Sequence, residues 1–267
     1  MAIDKKSETL PSAKLLNKLC ACQTFDRHVL EKQMDERLKN LFIQRLNLFS
    51  STTVFISEIQ YAKMAALITV CEKAINTPYY QQKALSTAPS IASFDPGAKG
   101  AFTAYDFHLS DEGPFIIEIN TNAGGTLINL VLGQAQEQCC NTNIHVGCTK
   151  NDLMEMFLNE WKLQHPNSTP ELIAIVDDSP QEQSLYPEFL LFEKLFKDHG
   201  FKAVIADPVD LVFKDNALWY EDQKVSMVYN RLMVKFSSLL PDYMRGRQLS
   251  SGRWVEDLRR WQFFKEF

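Results

Sequence analysis

The chain has 267 residues, 45% apolar and 23% charged, long enough for one large or two small globular domains with a real core. Lys plus Arg number 28 against 33 Asp plus Glu, a formal charge of -5, so no global field attracts a polyanion. Nucleic acid or an anionic membrane would need a local basic patch, and none dominates the chain. Apolar runs break well short of the roughly 18–20 residues a bilayer span requires, and the polar opening Met1-Ala-Ile-Asp-Lys-Lys6 has no apolar stretch behind it. The six cysteines (Cys20, Cys22, Cys71, Cys139, Cys140, Cys148) are unevenly spaced and lack a repeated C-x-x-C pair, which argues against zinc and for a reducing compartment. The expectation is a cytoplasmic protein.

From Phe25 to Phe49 apolar residues recur at helical spacing, with Val29, Met34, Leu38, Leu41, Phe42, Leu46 and Phe49 on one side, so an amphipathic helix is predicted there. A second helix is predicted from about Ser57 to Ile75, with Ile59, Ala62, Ala66, Leu67, Val70 and Cys71 on a buried stripe. It ends before Asn76-Thr-Pro78, where the pre-proline restriction disfavours helix. Both read as core scaffold.

Past a loop rich in Ser, Pro and Gly, the period becomes strand-like over Ala101–Leu109. A turn, Ser110-Asp-Glu-Gly113, leads into Phe115-Ile-Ile-Glu-Ile119, which predicts a β-hairpin. The loop Asn120-Thr-Asn-Ala-Gly-Gly125 then opens a helix from Thr126 to Cys139. Thr149-Lys-Asn-Asp152 is a capping-box start for another helix, ending near Gln164.

Composition turns linker-like around His165-Pro-Asn-Ser-Thr-Pro170, and a boundary is placed there. Leu172–Val176 predicts a doubly covered strand, Tyr186–His199 a helix stopped by Gly200, and Lys202–Ala206 a second strand, together a βαβ unit. Leu211–Phe213 can pair with Ala217–Tyr220, and Val225–Tyr229 supplies another strand before Asn230-Arg231. Leu232–Phe267, with Arg245, Arg247, Arg253, Arg259, Arg260, Trp254 and Trp261, reads as a loop plus a terminal amphipathic helix. The expected class is α/β in three parts: helices plus hairpin over 1–165, a small Rossmann-like unit over 166–231, and an atypical segment over 232–267.

The hairpin carries the candidate chemistry. If Leu109 faces Phe115, Asp106 lies directly opposite Glu118, whereas one residue of slip sends the two carboxylates to opposite sides of the sheet. Facing carboxylates repel, and an unpaired charge within Phe-Ile-Ile-Glu-Ile is costly to bury, so a compensating cation is expected. Asp106, Glu118 and the Asn120 amide oxygen are hard donors of the kind Mg²⁺ selects, with positions left for water or phosphate oxygens. Asn122, Gly124 and Gly125 adjoin a helix N-terminus suited to an anion. A solvated acidic hairpin followed by an ordinary glycine turn fits the same pattern, as does an acid/base carboxylate pair of a hydrolase.

At these residues the sequence resembles the ATP-grasp superfamily, whose closing signature is an Asp on one strand, a turn, then Glu-x-Asn and a small-residue loop: here Asp106, Glu118-Ile-Asn120 and Asn122-Ala-Gly-Gly125. Because the βαβ unit follows the hairpin, the order is similar to the circularly permuted members related to glutathionylspermidine synthetase. Val228-Tyr-Asn-Arg231 also looks like a segment of those proteins. The resemblance implies that Asp106, Glu118 and Asn120 hold Mg²⁺ against ATP phosphates near Asn122, Gly124 and Gly125. It further implies ligation of a small-molecule carboxylate to an amine through an acyl phosphate. Asp177, Asp178 and Arg231, at strand C-termini where α/β sheets bind ligands, are candidate substrate contacts. Ala104 departs from the Arg that many relatives carry. The family's Lys-bearing lid would follow the βαβ unit, and 232–267 is too short for it. The expectation is therefore a shortened or altered relative with incomplete ligase activity, or a non-catalytic binding or interaction module on the same scaffold.

Overall fold

The computed structural model describes residues 12–19, 48, 54–88, 90–93, 95, 97–140 and 148–232. The helix predicted over Phe25–Phe49 and the terminal helix predicted within 232–267 lie outside the described residues, apart from Leu48 and Leu232. The chain order is α1 (Ala13–Leu19), α2 (Glu58–Ile75), α3 (Pro78–Leu85), β1 (Ala104–Leu109), β2 (Pro114–Asn120), α4 (Thr126–Cys140), α5 (Lys150–Gln164), β3 (Leu172–Val176), α6 (Tyr186–Asp198), β4 (Lys202–Ala206), β5 (Leu211–Lys214), β6 (Ala217–Tyr220), β7 (Gln223–Val225) and β8 (Met227–Asn230). The fold is α/β.

Local signals set most boundaries. Ser57 and Gln60 close a capping box on α2, and Thr149 and Asp152 do the same on α5. Hydrogen bonds from Thr149 hold the Asp152 carboxyl below its ordinary range. Pro78 does end α2, but it also occupies the first turn of α3 behind the N-cap Thr77. A proline there loses no helical hydrogen bond.

The stripe expected on α2 is corrected. No residue of this helix is buried, and Ile59 and Val70 stand exposed. The half-buried positions are Gln60, Met64, Leu67, Ile68, Cys71 and Ile75. A two-stranded hairpin covers only a narrow strip of a helix, so an apolar surface running most of the way round α2 is left partly open.

Three parallel strands in the order β4-β3-β8 form the central sheet. Strand β3 is buried throughout, as a strand covered on both faces must be. The connection β3-α6-β4 runs one way from β3, and β8 joins on the other side. The C-terminal end of the β3/β8 pair is thus a topological switch point. The link from β4 to β8 contains an antiparallel meander, β5-β6-β7. The single strand expected over Val225–Tyr229 is in fact divided. β7 ends in the meander, Ser226 donates its N–H to the Leu172 carbonyl and accepts from Glu171 N–H through Oγ, and β8 begins afresh beside β3.

The main core draws on α4 and α5 as well as α6, β3 and β8: Leu127, Val131 and Phe157 pack with Ile173, Phe192, Phe196 and Tyr229. The rings of Phe102, Phe157, Phe192 and Tyr229 meet mostly edge to face at 5.0–6.2 Å. This core runs through the position placed as a boundary at 165/166, where Trp161 stacks on His165 and donates Nε1–H to the Ser168 carbonyl. Among the described residues no helix is long and apolar enough to cross a membrane.

Candidate functional site

The hairpin register reaches the expected carboxylate pairing by an unexpected route. At the turn Leu109 pairs with Pro114, His108 with Phe115 and Phe107 with Ile116, one residue away from the register assumed from the sequence. A bulge between Phe107 and Asp106 leaves Ile117 without a pair, and from there Asp106 faces Glu118 and Ala104 faces Asn120. One extra residue on one strand resets the facing side chains, which is what a bulge does.

Asp106, His108, Phe115, Ile117 and Glu118 are exposed. The other side carries Tyr105, whose hydroxyl donates to Glu72 of α2. Burial, then that hydrogen bond, pushes the Tyr105 phenol up to about 12. Because Glu118 is exposed, the desolvation expected from its apolar sequence neighbours does not arise; that expectation is corrected. Asn120 Nδ2 lies 3.5 Å from Asp106 Oδ2, so the Asn120 amide group is next to the first carboxylate. Its oxygen and nitrogen exchange by a half-turn of the amide. Two carboxylates and one amide, open to solvent, fit a hard cation that keeps several waters. Among the described residues no three His, Cys, Asp or Glu side chains gather as metal ligands.

The loop after β2 is held from the α/β unit. Arg231, buried at the end of β8, donates from Nη1 to Asn122 Oδ1 and to the Ala123 carbonyl, both at 2.8 Å, and more weakly to the Asn122 carbonyl. Asn122 Nδ2 donates to the Leu232 carbonyl at 3.3 Å. Two groups of candidates that are more than a hundred residues apart, Asn122 with its glycines and Arg231, are thereby one cluster.

Its central member was not anticipated. Glu188, on the first turn of α6, is 1% exposed. Its carboxylate accepts from Gly125 N–H at 2.7 Å and Leu127 N–H at 3.0 Å. The N-terminus of α4, expected to receive a phosphate, is therefore occupied by a carboxylate of the chain itself, and Gly125 N–H is not free to cradle an anion. This corrects the anion-binding role given to Gly125. The cause is ordinary helix capping: the orphan N–H groups of α4 meet the nearest anion. Burial pushes the Glu188 carboxyl up, opposed by the Gly125 hydrogen bond and by Arg231. Gly124 lies between the two charges. A Cβ on it would stand 2.4 Å from Leu185 Cδ1, 2.7 Å from Arg231 Nη2 and 3.4 Å from Glu188 Oε2, so its role here is to permit close approach. The signal for Glu188 was present in Glu188-Phe-Leu-Leu-Phe192-Glu-Lys-Leu-Phe196: it lies four residues before Phe192 on the apolar stripe, where an acid needs a partner.

Asp177 follows β3 at the switch point, buried, with Oδ1 accepting from Asp178 N–H at 2.9 Å. Burial raises its carboxyl to about 6, against the pull of that hydrogen bond and Arg231. Asp178 is exposed, and Ser179, in the left-handed region at φ 43°, donates its N–H to Asp207. The folded chain thus binds a proton at Asp177 more readily than the unfolded chain. That contribution to stability is complete below the ordinary Asp pKa near 4 and is lost as pH rises through about 6. The loss of unfolding free energy from low to neutral pH is expected to be smaller in Asp177→Asn by at most about 3 kcal/mol. Urea titrations of both proteins across this range measure it, and parallel profiles would refute it.

No protein-family model and no curated protein matches this chain. The functional reading therefore stands on the residues themselves.

Proposed function

We propose that this chain is an ATP-grasp-like protein of the circularly permuted type, whose hairpin holds Mg²⁺ against ATP phosphates through Asp106, Glu118 and Asn120. The observation that carries the reading is the bulge that restores Asp106 to Glu118, because a regular hairpin from the same turn would separate the two carboxylates. The chemistry of such a scaffold is carboxylate–amine ligation. The γ-phosphoryl group passes to a substrate carboxylate oxygen with release of ADP. An amine nitrogen then attacks the acyl carbon, the carbon–oxygen bond to phosphate breaks, and the amine loses a proton. Bound Mg²⁺ would neutralise charge on the transferring phosphoryl group. Asp106 and Glu118 supply the anionic donors, Asn120 a neutral one, and Asn122 and Gly124 line the approach. Arg231 fixes Asn122 and Ala123 in place. The compartment we assign is the cytoplasm, in keeping with free thiols at Cys71 and Cys148.

A second reading, a non-catalytic binding or interaction module on the same scaffold, is favoured by Glu188, which fills the helix N-terminus that a phosphate would otherwise use. Ligation by this chain is accordingly expected to be incomplete, while metal–nucleotide binding is retained. Isothermal titration with Mg²⁺ and a non-hydrolysable ATP analogue tests this. Asp106→Asn and Glu118→Gln are each expected to weaken binding by roughly tenfold or more, since even outer partners of a metal site are worth that much. No Mg²⁺-dependent binding in the parent, or variants that bind as the parent does, would exclude the site. Turnover of ATP into an amide product would exclude the non-catalytic reading.

A further inference from the structure

We propose that Arg231, backed by Glu188, is the positioning residue of the hairpin site: it fixes the end of the hairpin that carries Asp106, Glu118 and Asn120, and so sets how tightly those three residues hold a metal ion. This role rests on the reading of Asp106, Glu118 and Asn120 as Mg²⁺ ligands, and it places Arg231 behind the site rather than against a substrate.

The rest of the hairpin's support shows why such a residue is needed. A two-stranded hairpin is marginal by itself, and α2 covers one side of this one without burying a residue of its own. On that side the Tyr105 hydroxyl donates to Glu72. The turn end is tied by reciprocal backbone hydrogen bonds between Ser110 and Gly113. The opposite end, where Ala104 faces Asn120, runs directly into the loop that ends at Gly125.

That loop is gripped at Ala123 from two directions. Its N–H donates to the Phe102 carbonyl at 3.3 Å, and its carbonyl accepts from Arg231 Nη1 at 2.8 Å. Phe102 is in turn packed among the rings of Phe157, Phe192 and Tyr229. The same Nη1 reaches Asn122 Oδ1 at 2.8 Å, and Glu188 holds the far side of the loop through Gly125 N–H. Asn120 therefore sits between two fixed points, its pairing with Ala104 and the clamp that begins two residues on. Metal ligands must be held to within about 0.5 Å, and the groups behind them supply that precision.

Arg231 is itself fixed for this purpose. Its backbone N–H donates to the Val176 carbonyl at 2.8 Å, and its guanidinium lies over the Tyr229 ring. Glu188 stands across Gly124 from it, since a Cβ there would be 2.7 Å from Arg231 Nη2 and 3.4 Å from Glu188 Oε2. Buried Nε has no hydrogen-bond partner among the described residues. Leaving a buried N–H unpaired is costly, so the orientation is set by the other contacts of the group, and its two short ones go to the loop.

Isothermal titration with Mg²⁺ and a non-hydrolysable ATP analogue, on the full chain and its variants, tests this role. Arg231→Met is expected to weaken Mg²⁺-dependent binding by about tenfold, the lower end of what supporting partners of a metal site are worth. Arg231→Lys, whose one nitrogen can meet the same two oxygens as Nη1, should recover part of that affinity. Arg231→Met/Glu188→Gln strands less buried charge, so it keeps the test open if the single variant does not fold, and the same loss is expected. Leu218→Ala opens a cavity in the smaller core cluster. It lowers stability without touching the loop and should bind as the parent does. By linkage, Mg²⁺ with the analogue should also slow amide exchange at Gly125 and Leu127 in the parent, and less so in Arg231→Met. Folded Arg231 variants that bind as the parent does would overturn the role and leave the hairpin ligands standing. So would a loss in Leu218→Ala as large as that in Arg231→Met, which would make affinity a matter of overall stability. A parent without Mg²⁺-dependent binding removes the hairpin site itself, and the role with it.

Discussion

Replacing Glu188 with Ala is expected to lower the unfolding free energy by about 2–5 kcal/mol, because two backbone N–H groups at the start of α4 lose their buried acceptor. Three losses combine. Gly125 and Leu127 lose the acceptor of their N–H groups, and buried unsatisfied donors cost about 1–3 kcal/mol each. The N-terminus of α4 loses an anion. Arg231, 6% exposed, loses one of the two buried carboxylates, Glu188 and Asp177, whose charge it favours. One effect opposes these: burial already pushes the Glu188 carboxyl up, so its ionised form is held at some cost, and the substitution recovers that part. The two N–H groups and the guanidinium remain, and they decide the sign. Glu188→Gln keeps the volume and one acceptor oxygen, so a smaller loss of about 1–2 kcal/mol is expected. Urea unfolding monitored by far-UV circular dichroism provides the comparison. A Glu188→Ala protein as stable as the parent would show that the carboxylate does not cap α4.

Arg231→Ala is expected to cost a comparable amount, about 3–5 kcal/mol, through different contacts. The Ala123 carbonyl and Asn122 Oδ1 lose a charged donor at 2.8 Å, and the guanidinium no longer lies over the Tyr229 ring, 5.5 Å from its centroid. Arg231→Lys keeps the charge but replaces the planar guanidinium that lies over the Tyr229 ring with a flexible point charge, so it recovers only part of the loss. The two deletions should not add. With Glu188 already gone, removing Arg231 also removes a stranded buried charge. The double variant is therefore expected to be more stable than the sum of single costs implies, by about 1–3 kcal/mol. Strict additivity in the double-mutant cycle would show that the two charges do not interact across Gly124.

Much of the architecture was legible because its signals are local. The alternation of β1 and β2, the capping box at Thr149, the apolar run of β3 and the stop at Gly200 each depend on residues within a few positions of one another. Where the deciding contact was distant, the reading failed. The α2 stripe was misplaced because apolar residues occur around most of that helix, and only the position of the hairpin selects which are half-buried. Val225–Tyr229 has strand chemistry throughout, so nothing local marks the division between β7 and β8. The break at Ser226 is made by hydrogen bonds to Glu171 and Leu172, on a strand more than fifty residues earlier.

The candidate site divides in the same way. Asp106, Glu118 and Asn120 were found from their spacing, yet the spacing argument reached the right pairing from a turn register that is one residue off; the bulge at Ile117 restores it. Gly124 and Gly125 were recognised as a close-approach loop, but the anion they approach is Glu188 on α6. A residue of the chain's own that completes a helix end sixty positions away leaves only a faint trace in sequence, here an acid on an apolar stripe.

Length and composition determined that this chain can build a substantial core and that its net charge of -5 gives no general attraction to polyanions, and the order of residues added an α/β pattern with an acidic hairpin ahead of a βαβ unit. That pattern follows from periodicity and local propensity, which act over a few residues. Only the tertiary structure decided that the core crosses the linker-like turn at 165–170, that Arg231 grips the Asn122 loop, and that Glu188 occupies the N-terminus of α4. Each of these is a contact between segments far apart in the chain. Burial makes such contacts obligatory: once α4, α6 and β8 pack together, every N–H, carboxylate and guanidinium trapped among them must find a partner within reach.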